Sequence, residues 1–422
     1  MCIGDFMKRN MNLSVFIITL LSLCCLNQIP ITNTSSQVYS IEENQIVIYT
    51  YDSLLNDPYF DIEGNFSTFS GIPANEIQIT RFSDANELVV RLEAEKSNPI
   101  ADVVIGIDNT LIHLIEDKAS VLEPYTPTSI SQIDENLIQN LDPENYLIPY
   151  DYGIISLYYQ NHIINSSTNP ELENLTLDGL LASNLLPMLI VENPKYSSPG
   201  LGFLLWTIAV YGDPEINFDG LLESNWRNWW NASRDKITIT KSWGDAFNIF
   251  FTPEEEKPIM VSYGTSPAYS YCQWADNSTS AVVTHEKNQQ NAWLQIEGIG
   301  LVKDAPHKDK GKQFINWFLS SSLQSEIPEH QWMYPANREV ILSPCFEESV
   351  IHPDEVFRLN DLLSPEILGH YLPDWKDQWE QVIVLGYFET GGSIPGFDFI
   401  STLLGLVVII IPIMLLTKKK RH

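Results

Sequence analysis

Residues 101–109 read ADVVIGIDN, and this stretch decides the fold class of the chain. Its centre, residues 103–107, holds only β-branched residues and one glycine, which is the composition of a strand buried on both faces. A helical pattern is predicted from Asn109 onward. Because strands that alternate with helices pack as layers around a sheet, we predict an α/β protein.

The same alternation continues on both sides of this stretch. Upstream, residues 45–50 and 77–82 have strand patterns, and Asp84 stands three residues before Glu87, as in a capping box that opens a helix. Downstream, the predicted strands are 188–191, 236–240, 258–262 and 293–302, and the predicted helices are 199–211, one from Trp243, 308–320 and a helical region over 347–381. No long coil separates these elements, so two interleaved lobes fit the chain better than two independent domains.

Composition limits the partners of the chain. Its 422 residues include 54 acidic and 24 basic side chains, which give a net charge of −30. This balance argues against a nucleic-acid partner, because nothing would neutralise the phosphates. The charge would attract a cationic ligand, but it also keeps a protein soluble, and solubility is the more direct explanation.

Both ends of the chain are apolar, and they predict different segments. Lys8 and Arg9 precede an apolar run over residues 13–26, so we predict a secretory signal peptide over residues 1–28 that is removed on export, with a retained N-terminal anchor as the alternative. The other end predicts a membrane anchor.

Residues 398–417 are almost entirely apolar and are followed at once by the basic tail 418–422. This pattern indicates a transmembrane helix with its basic tail in the cytoplasm. Residues 386–397 include the sequence GGSIPG and are predicted to form a flexible tether. We therefore expect an ectodomain at the cell surface that is anchored to the cell membrane.

Cysteine usage agrees with export. Only Cys272 and Cys345 lie in the predicted ectodomain, where they could form one disulfide or remain as two buried thiols. Six N-x-S/T sequons would suit a glycosylated surface, although chance explains some of them; they lie at Asn33, Asn65, Asn165, Asn174, Asn231 and Asn277.

Three groups of residues follow predicted strands and should face one crevice, because ligands bind at the carboxyl ends of strands in open α/β sheets. The first group is 49–53 (YTYDS). The second is 198–199 (SP), a helix start whose free N–H groups suit a phosphate or carboxylate. The third joins Trp243, Tyr263 and Tyr269, whose ring faces would each attract a cation by about 0.5–2 kcal/mol. Each group also has an ordinary explanation, as a turn, a capped helix or core aromatics.

Catalytic and metal sites are not predicted. The histidines are scattered, and neither His-x-x-x-His nor Cys-x-x-Cys spacing occurs. Helix caps and ion pairs explain Asp84, Asp102, Asp108 and Asp151 at least as well as acid–base chemistry does. We therefore expect no catalytic residue, no metal ligand and no cofactor.

Six motifs that occur in order carry a resemblance to a known family: 49–53 (YTYDS), 101–109 (ADVVIGIDN), 151–153 (DYG), 198–202 (SPGLG), 265–269 (TSPAY) and 332–335 (WMYP). Together they closely resemble the thiamine-binding proteins of bacterial ABC importers. The resemblance covers about residues 46–335, and six motifs in register are far more specific than any one of them.

The resemblance implies a type II periplasmic-binding-protein fold, in which two α/β lobes close over the ligand like a clamshell. Lobe one would comprise residues 45–152 with 297–385, and lobe two residues 153–296. The chain would cross between the lobes near residues 151–153 and return near residues 295–302. The C-terminal transmembrane helix departs from the family pattern and would suit a cell without an outer membrane.

The resemblance also implies the ligand contacts. Ala85 stands where the family has glycine, and Gly264 stands where one family member has threonine. Ser197 and Ser198 match a hydroxyl-bearing pair at the phosphate end of the ligand. The full implied set is Asp84, Ala85, Ser197, Ser198, Trp243, Tyr263, Gly264, Thr265 and Ser266, with Tyr51 and Tyr269 as aromatic walls.

The function implied in this way is binding without chemistry. The lobes would close on thiamine or a thiamine phosphate, and the closed form would dock on an ABC permease with its ATPase. We expect a monomer. One alternative is a thiaminase of the same fold, which would need a free thiolate from Cys272 or Cys345 and is excluded if the two are bonded. Another, motivated by Ala85 and Gly264, is a binding protein for another cationic heterocycle or a polyamine.

Overall fold

The computed structural model describes residues 45–56 and 58–386. The predicted signal peptide, transmembrane helix and basic tail, the tether beyond Gly386 and the sequon at Asn33 lie outside the described residues. Within the described part of the chain, no helix is both long enough and apolar enough to cross a bilayer.

The described strands and helices alternate along most of the chain, as predicted. The strands are β1 Ile46–Tyr51, β2 Ile77–Phe82, β3 Val103–Asp108, β4 Leu122–Glu123, β5 Ile148–Gln160, β6 Leu189–Glu192, β7 Thr238–Thr240, β8 Ile259–Tyr263, β9 Thr279–Val282, β10 Thr284–Glu286, β11 Gln289–Ala292, β12 Leu294–Val302, β13 Tyr334–Pro335 and β14 Phe357–Arg358. The helices are α1 Ile62–Ser70, α2 Ala85–Glu95, α3 Lys118–Val121, α4 Glu135–Leu141, α5 Leu177–Ala182, α6 Ser198–Tyr211, α7 Trp226–Ser233, α8 Trp243–Phe250, α9 Pro267–Trp274, α10 Lys308–Phe318, α11 Ser321–Gln324, α12 Pro344–Ser349 and α13 Pro365–Glu380.

Most of these strands form one large sheet. Its strand order is β2-β1-β3-β12-β5-β8-β6-β7, with β4, β9 and β13 paired at its sides. Strands β1, β2 and β3 are parallel to one another, and so are β6, β7 and β8. We name these two groups the first half-sheet and the second half-sheet. The antiparallel strands β5 and β12 join them.

Within residues 101–109 the chain forms β3, whose six residues are all buried. Gly106 has a φ of +107°, and a Cβ built there would lie 2.3 Å from the ring of Tyr51. Glycine therefore leaves room for the Tyr51 side chain above the backbone of β3. From β1, the Tyr51 hydroxyl reaches Glu297 on β12 and donates a hydrogen bond of 2.7 Å.

Strand β5 was missed by the sequence analysis, which placed only a chain crossing near residues 151–153. It is a strand of 13 residues whose first part pairs with β12 and whose second part pairs with β8 and β9. Pro149 and Gly153 interrupt its apolar pattern, and both residues weaken a strand prediction. The pairing with β12 sets Asp151 directly opposite Glu297.

Helix α6 lies in the protein interior. Thirteen of its fourteen residues are buried, so its surface is apolar on every side. Phe203 packs edge-to-face on Trp229 and Trp230 of α7, with 5.7 Å between ring centroids in each pair. Trp230 in turn meets Trp379 of α13 at 5.7 Å. This aromatic packing fixes the direction of α6 and therefore the position of its first turn.

Two helix predictions are wrong. After Asn109 the chain forms only a 3₁₀ turn over Leu111–Leu114, because the Asp108 carboxylate accepts hydrogen bonds from the next backbone N–H groups in a local turn. The predicted helical region over 347–381 is divided among α12, short 3₁₀ turns, β14 and α13. Prolines at N-terminal positions of these pieces mark the breaks.

The predicted capping box at Asp84 forms only in part. Asp84 is the N-cap of α2, and its carboxylate accepts a hydrogen bond from the Asn86 backbone N–H at 2.7 Å. The return hydrogen bond of a capping box, from the Asp84 backbone N–H to Glu87, is not seen in the described residues. The Glu87 carboxylate instead accepts a hydrogen bond from the Ser83 hydroxyl at 3.0 Å.

The open question about the two ectodomain cysteines has an answer. A disulfide joins Cys272 on α9 to Cys345 in the first turn of α12. Their Cα atoms are 5.3 Å apart, and their sequence separation is 73. The bond consumes both thiols, so neither can serve as the nucleophile that the thiaminase alternative requires. The sequon asparagines in the described part of the chain are all at least partly exposed.

Candidate ligand-binding site

A cavity of about 520 Å³ opens where the two half-sheets meet. Residues that follow β1 and β2 form one side of it, and residues that follow β6, β7 and β8 form the other. Both groups stand at the carboxyl ends of parallel strands, where α/β sheets bind their ligands. The volume falls within the range of roughly 300–1,000 Å³ that is typical of small-molecule sites.

Aromatic rings form one wall of the cavity. Trp243 packs on Phe247 with 4.8 Å between centroids, and Phe247 meets Tyr269 edge-on at 5.8 Å. Tyr269 also makes edge-on contacts with Trp332 at 5.6 Å and with Trp274 at 5.0 Å. Five rings held in this way present both faces and edges, which suits a flat ligand that carries positive charge.

The Trp243 ring is held by hydrogen bonds behind it. Its Nε1–H donates to the Ser262 hydroxyl at 2.9 Å, and that hydroxyl is 2.8 Å from the hydroxyl of Ser266. Ser266 also accepts the Tyr263 backbone N–H at 3.2 Å. The polar edge of Trp243 is thus satisfied within the protein, so its apolar face is free for stacking.

The N-terminus of α6 points its first residues at the cavity. Ser197 is the N-cap and Ser198 the first helical residue, one position earlier than predicted. Both residues line the cavity and both hydroxyls are buried; that of Ser197 has no hydrogen-bond partner among the described residues, and that of Ser198 lies beside the Asp108 carboxyl and acts to lower its pKa. Together with the free N–H groups of the first helical turn, they can bind a ligand hydroxyl or an anionic group.

The two glycines that follow serve packing rather than close approach of a ligand. A Cβ at Gly200 would lie 2.3 Å from the carbonyl oxygen of Glu192, and one at Gly202 would lie 2.7 Å from Ile155. Neither glycine lines the cavity. The SPGLG motif therefore seats α6 against β6 and β5, and this contact positions Ser197 and Ser198.

Asp84 and Ala85 line the opposite side, at the start of α2. Besides its cap hydrogen bond, the Asp84 carboxylate accepts the side-chain amide of Asn86 at 2.7 Å. Burial raises the pKa of Asp84 to about 7, although these hydrogen bonds and the nearby Lys376 act to lower it. A cation or a donor group beside Asp84 would therefore stabilise its charged form.

The floor of the cavity is a hydrogen-bonded network around Glu297. Its carboxylate accepts from the hydroxyls of Tyr51 and Tyr150 and from the amide of Gln295 at 2.8 Å. Gln331 donates to the Tyr51 hydroxyl at 2.7 Å. The network ties β1, β5 and β12 to the turn that carries Trp332.

The structure brings nine of the eleven predicted contact residues to the cavity. They are Tyr51, Asp84, Ala85, Ser197, Ser198, Trp243, Tyr263, Ser266 and Tyr269. Gly264 and Thr265 lie behind the wall. A Cβ at Gly264 would meet Ile154, and the Thr265 hydroxyl points to the sulfur of Met333 at 3.7 Å.

Sequence reasoning gave no ligand role to several residues that line the cavity, most notably Glu297, Gln331 and Trp332. Trp332 follows a π-helical turn and has a left-handed backbone with φ of +59°, a strained conformation for a tryptophan. The WMYP motif was a signal for Trp332. Glu297 lay within a predicted strand, and nothing in the sequence marked which face of that strand meets the cavity.

Within the described residues, no group of three or more His, Cys, Asp or Glu side chains could hold a metal ion. Asp102 accepts backbone N–H groups from Val47 and His307, and Asp108 caps the turn after β3. The two carboxyl oxygens of Asp151 have no hydrogen-bond partner in this part of the chain, and Asp151 is paired with Glu297 across the strands.

A sequence profile of the family described as "Bacterial extracellular solute-binding protein" matches residues 73–325, which is more than half of the chain. The chain belongs to this family. Among the relatives of this solute-binding protein is the "Thiamine-binding periplasmic protein" of Brucella melitensis, 27% identical over 339 residues that cover 80% of this chain and 91% of the relative. The Escherichia coli protein of the same name is 26% identical over 340 residues, with 80% and 93% covered.

Solved structures agree on the fold of this solute-binding protein. The structure of a "Periplasmic thiamin binding protein" superimposes with a TM-score of 0.64 at 24% identity, covering 80% of this chain and 96% of that chain. The mixed α/β architecture is thus that of a periplasmic binding protein. The family resemblance drawn from the six motifs is confirmed.

Proposed function

We propose that this solute-binding protein binds thiamine or a thiamine phosphate in the cavity and delivers it to an ABC permease with its ATPase. The observation that carries the proposal is a cavity of about 520 Å³ in which aromatic faces stand opposite carboxyl groups. Thiamine joins a flat, permanently cationic thiazolium to a flat aminopyrimidine, so it offers positive charge, two stacking surfaces and an amino group. The two relatives described above, both named for thiamine binding, support the same ligand.

The lining residues have distinct roles in this proposal. Trp243, Tyr269 and Trp332 stack on the rings of the ligand. Asp84 accepts an N–H group from it. Ser197 and Ser198, with the start of α6, bind its hydroxyl or phosphate end. The other predicted contacts that line the cavity, Ala85, Tyr51, Tyr263 and Ser266, shape the walls.

Binding closes two lobes on the ligand in this account. Lobe one is residues 45–152 with 297–385, and lobe two is residues 153–296. The arrangement of the sheet supports this division, because β5 and β12 connect the half-sheets and the cavity takes lining residues from both. Small changes in these two strands would open and close the cavity in a hinge motion, and the ligand would select the closed form.

The protein acts at the cell surface in this proposal. Residues 1–28 direct export, residues 386–397 are a tether, and residues 398–417 anchor the chain in the membrane with residues 418–422 inside. The apolar and basic patterns of the sequence support this, and the partly exposed sequons suit glycosylation. A tethered monomer stays near its permease, which raises its effective concentration there.

A thermal-shift screen tests the ligand assignment. The full chain, purified in mild detergent, is heated with thiamine, its monophosphate, its diphosphate or spermidine. Stabilisation by a thiamine species, rising with its concentration, is expected because a ligand that binds only the folded state raises its stability. Stabilisation by spermidine alone would point to the polyamine alternative and refute the assignment.

A membrane-extraction experiment tests the anchor. The full chain should stay with the membrane pellet after alkaline carbonate washing, and a chain ended after Gly386 should be released. Release of the full chain by the wash would refute the anchor and leave the ligand assignment untouched.

A further inference from the structure

Lys376 lies on α13 close to the candidate site, but it does not line the cavity. Its ammonium donates a hydrogen bond to the side-chain oxygen of Asn86 on α2 at 3.0 Å. Asn86 in turn donates twice to one carboxylate oxygen of Asp84, from its backbone N–H and from its side-chain amide, at 2.7 Å each. Lys376 is therefore linked through a single residue to a carboxyl group that does line the cavity.

The helix that carries Lys376 is held by both of the residues next to it in sequence. The indole N–H of Trp375 donates to the Asp213 carboxylate at 2.8 Å, and Trp375 is only 1% exposed. On the other side, the Asp377 carboxylate pairs with the ammonium of Lys195 at 2.8 Å. Because these contacts fix the backbone of α13, the half-buried Lys376 side chain starts from a defined position.

The charges that act on Asp84 come from three neighbouring elements. They are Asp108 on β3, Glu192 on β6 and Lys376 on α13. Burial raises the pKa of Glu192 well above its usual range, and neither of its carboxyl oxygens has a partner in the described part of the chain, so Glu192 is neutral. Asp108 raises the pKa of Asp84, whereas Lys376 lowers it. The ammonium thus favours the ionised form of Asp84.

Lys376 itself carries its charge at neutral pH and loses it in mildly alkaline solution. Burial lowers the pKa of Lys376 to about 8, and the nearby Lys195 acts in the same direction. Asp84, Asp108 and Asp377 act against them. The influence of Lys376 on Asp84 should therefore be present at pH 7 and fade as the pH rises past about 8.

We propose that Lys376 is a positioning residue of the ligand site: it holds the Asn86 side chain, and through Asn86 it fixes the orientation and the negative charge of the Asp84 carboxylate that receives the cationic ligand. This inference rests on the proposed function and deepens it. A lysine that does not contact a cationic ligand would by itself only repel it, so a benefit from Lys376 has to pass through Asp84. The sign of its effect on affinity therefore distinguishes a positioning residue from a bystander charge.

Thiamine titrations of the full chain in mild detergent, from about pH 5.5 to about pH 9, test the inference. Lys376→Met keeps the length of the side chain and removes its charge. A nearby opposite charge lowers the pKa of a carboxyl group by about one to three units, so losing the ammonium should raise the pKa of Asp84 from about 7 by about one unit. Thiamine should then bind about fivefold more weakly at pH 7, and the midpoint of the pH dependence should rise by about one unit. The two proteins should converge near about pH 9, where Lys376 has lost most of its charge.

Three comparison variants complete the experiment. Lys376→Arg keeps the charge and a donor, so it should restore the unaltered pH profile. Asn86→Ala breaks the link but leaves the ammonium, and it should move the midpoint in the same direction; alanine favours a helix, so this variant serves if Lys376→Met does not fold. The matched control is Lys118→Met. Lys118 is also half-buried and pairs with an acid, Asp142, at 2.6 Å, but it does not line the cavity, so affinity and midpoint should stay unchanged.

The outcomes separate this inference from the proposed function. A folded Lys376→Met protein that binds thiamine equally or more tightly at pH 7, or with the same midpoint, would overturn the positioning role and leave thiamine binding intact. So would a loss of affinity that is equal at every pH and is not restored by arginine, because that is the result expected of a merely structural lysine. No thiamine binding by the unaltered protein would overturn both.

Discussion

Replacing Trp243 by alanine should weaken thiamine binding by about 10- to 100-fold. The indole ring lines the cavity, stacks beside Phe247 at 4.8 Å and is oriented by a hydrogen bond to Ser262. Removing it loses a cation–π contact of about 0.5–2 kcal/mol and an aromatic stacking contact of about 0.5–1.5 kcal/mol. The sum, roughly 1–3.5 kcal/mol, spans about 5- to 400-fold in Kd, and the middle of that range is about 10- to 100-fold.

The assay is calorimetric titration with thiamine, alongside two comparison variants. Phe251→Ala removes a ring that contacts Phe247 at 4.7 Å but does not line the cavity, so the affinity should stay unchanged. Ser262→Ala keeps the indole but removes the acceptor of its N–H. The free energy of thiamine binding should become less favourable by about 1 kcal/mol. Unaltered thiamine affinity in a folded Trp243→Ala protein would refute the assignment of this ring to the ligand.

Three further predictions concern protonation, the disulfide and helix packing. Thiamine affinity should rise between about pH 5.5 and about pH 8, because Asp84 has a pKa of about 7 in the free protein and a bound cation favours its deprotonated form. Titrations that gave one Kd across this range would contradict this role of Asp84. Replacing Cys272 and Cys345 together by serine should lower the free energy of unfolding by about 4 kcal/mol for a loop of 73 residues, measured in urea, and an unchanged midpoint would disprove a stabilising bond. Gly200→Ala, whose Cβ would lie 2.3 Å from a backbone oxygen of β6, should destabilise the protein by about 2 kcal/mol. Gly369→Ala in α13, with nothing within 4 Å, is the matched control and should leave the melting temperature equal or higher.

The elements that the sequence predicted correctly are those whose pattern is local. Strand β3 is buried on both faces, so its composition alone identifies it. Helix α6 combines a proline near its start with an apolar run, and the structure shifts its first residue by one position only. Strand β5 escaped because its place in the sheet depends on pairing with β12 and β8, which no short window of sequence contains.

The residues of the candidate site likewise differ in how far the sequence predicts them. Residues in loops after predicted strands, such as Tyr51, Asp84 and Trp243, could be anticipated because the carboxyl ends of parallel strands converge. Glu297 could not, since it lies inside a strand and meets the cavity only through the arrangement of the joined half-sheets. Gly200 belongs to the same motif as Ser198, but a side chain there would meet the backbone of β6 and not a ligand.

The central claim is that a thiamine cation binds in the cavity between the half-sheets. Calorimetric titration of the full chain with thiamine tests it most directly. We expect one binding site per chain with Kd in the micromolar range or tighter, about −8 kcal/mol or more favourable, and loss of most of that affinity in Trp243→Ala. Absence of heat with thiamine and with both of its phosphates, from a protein whose melting curve shows that it is folded, would contradict the claim.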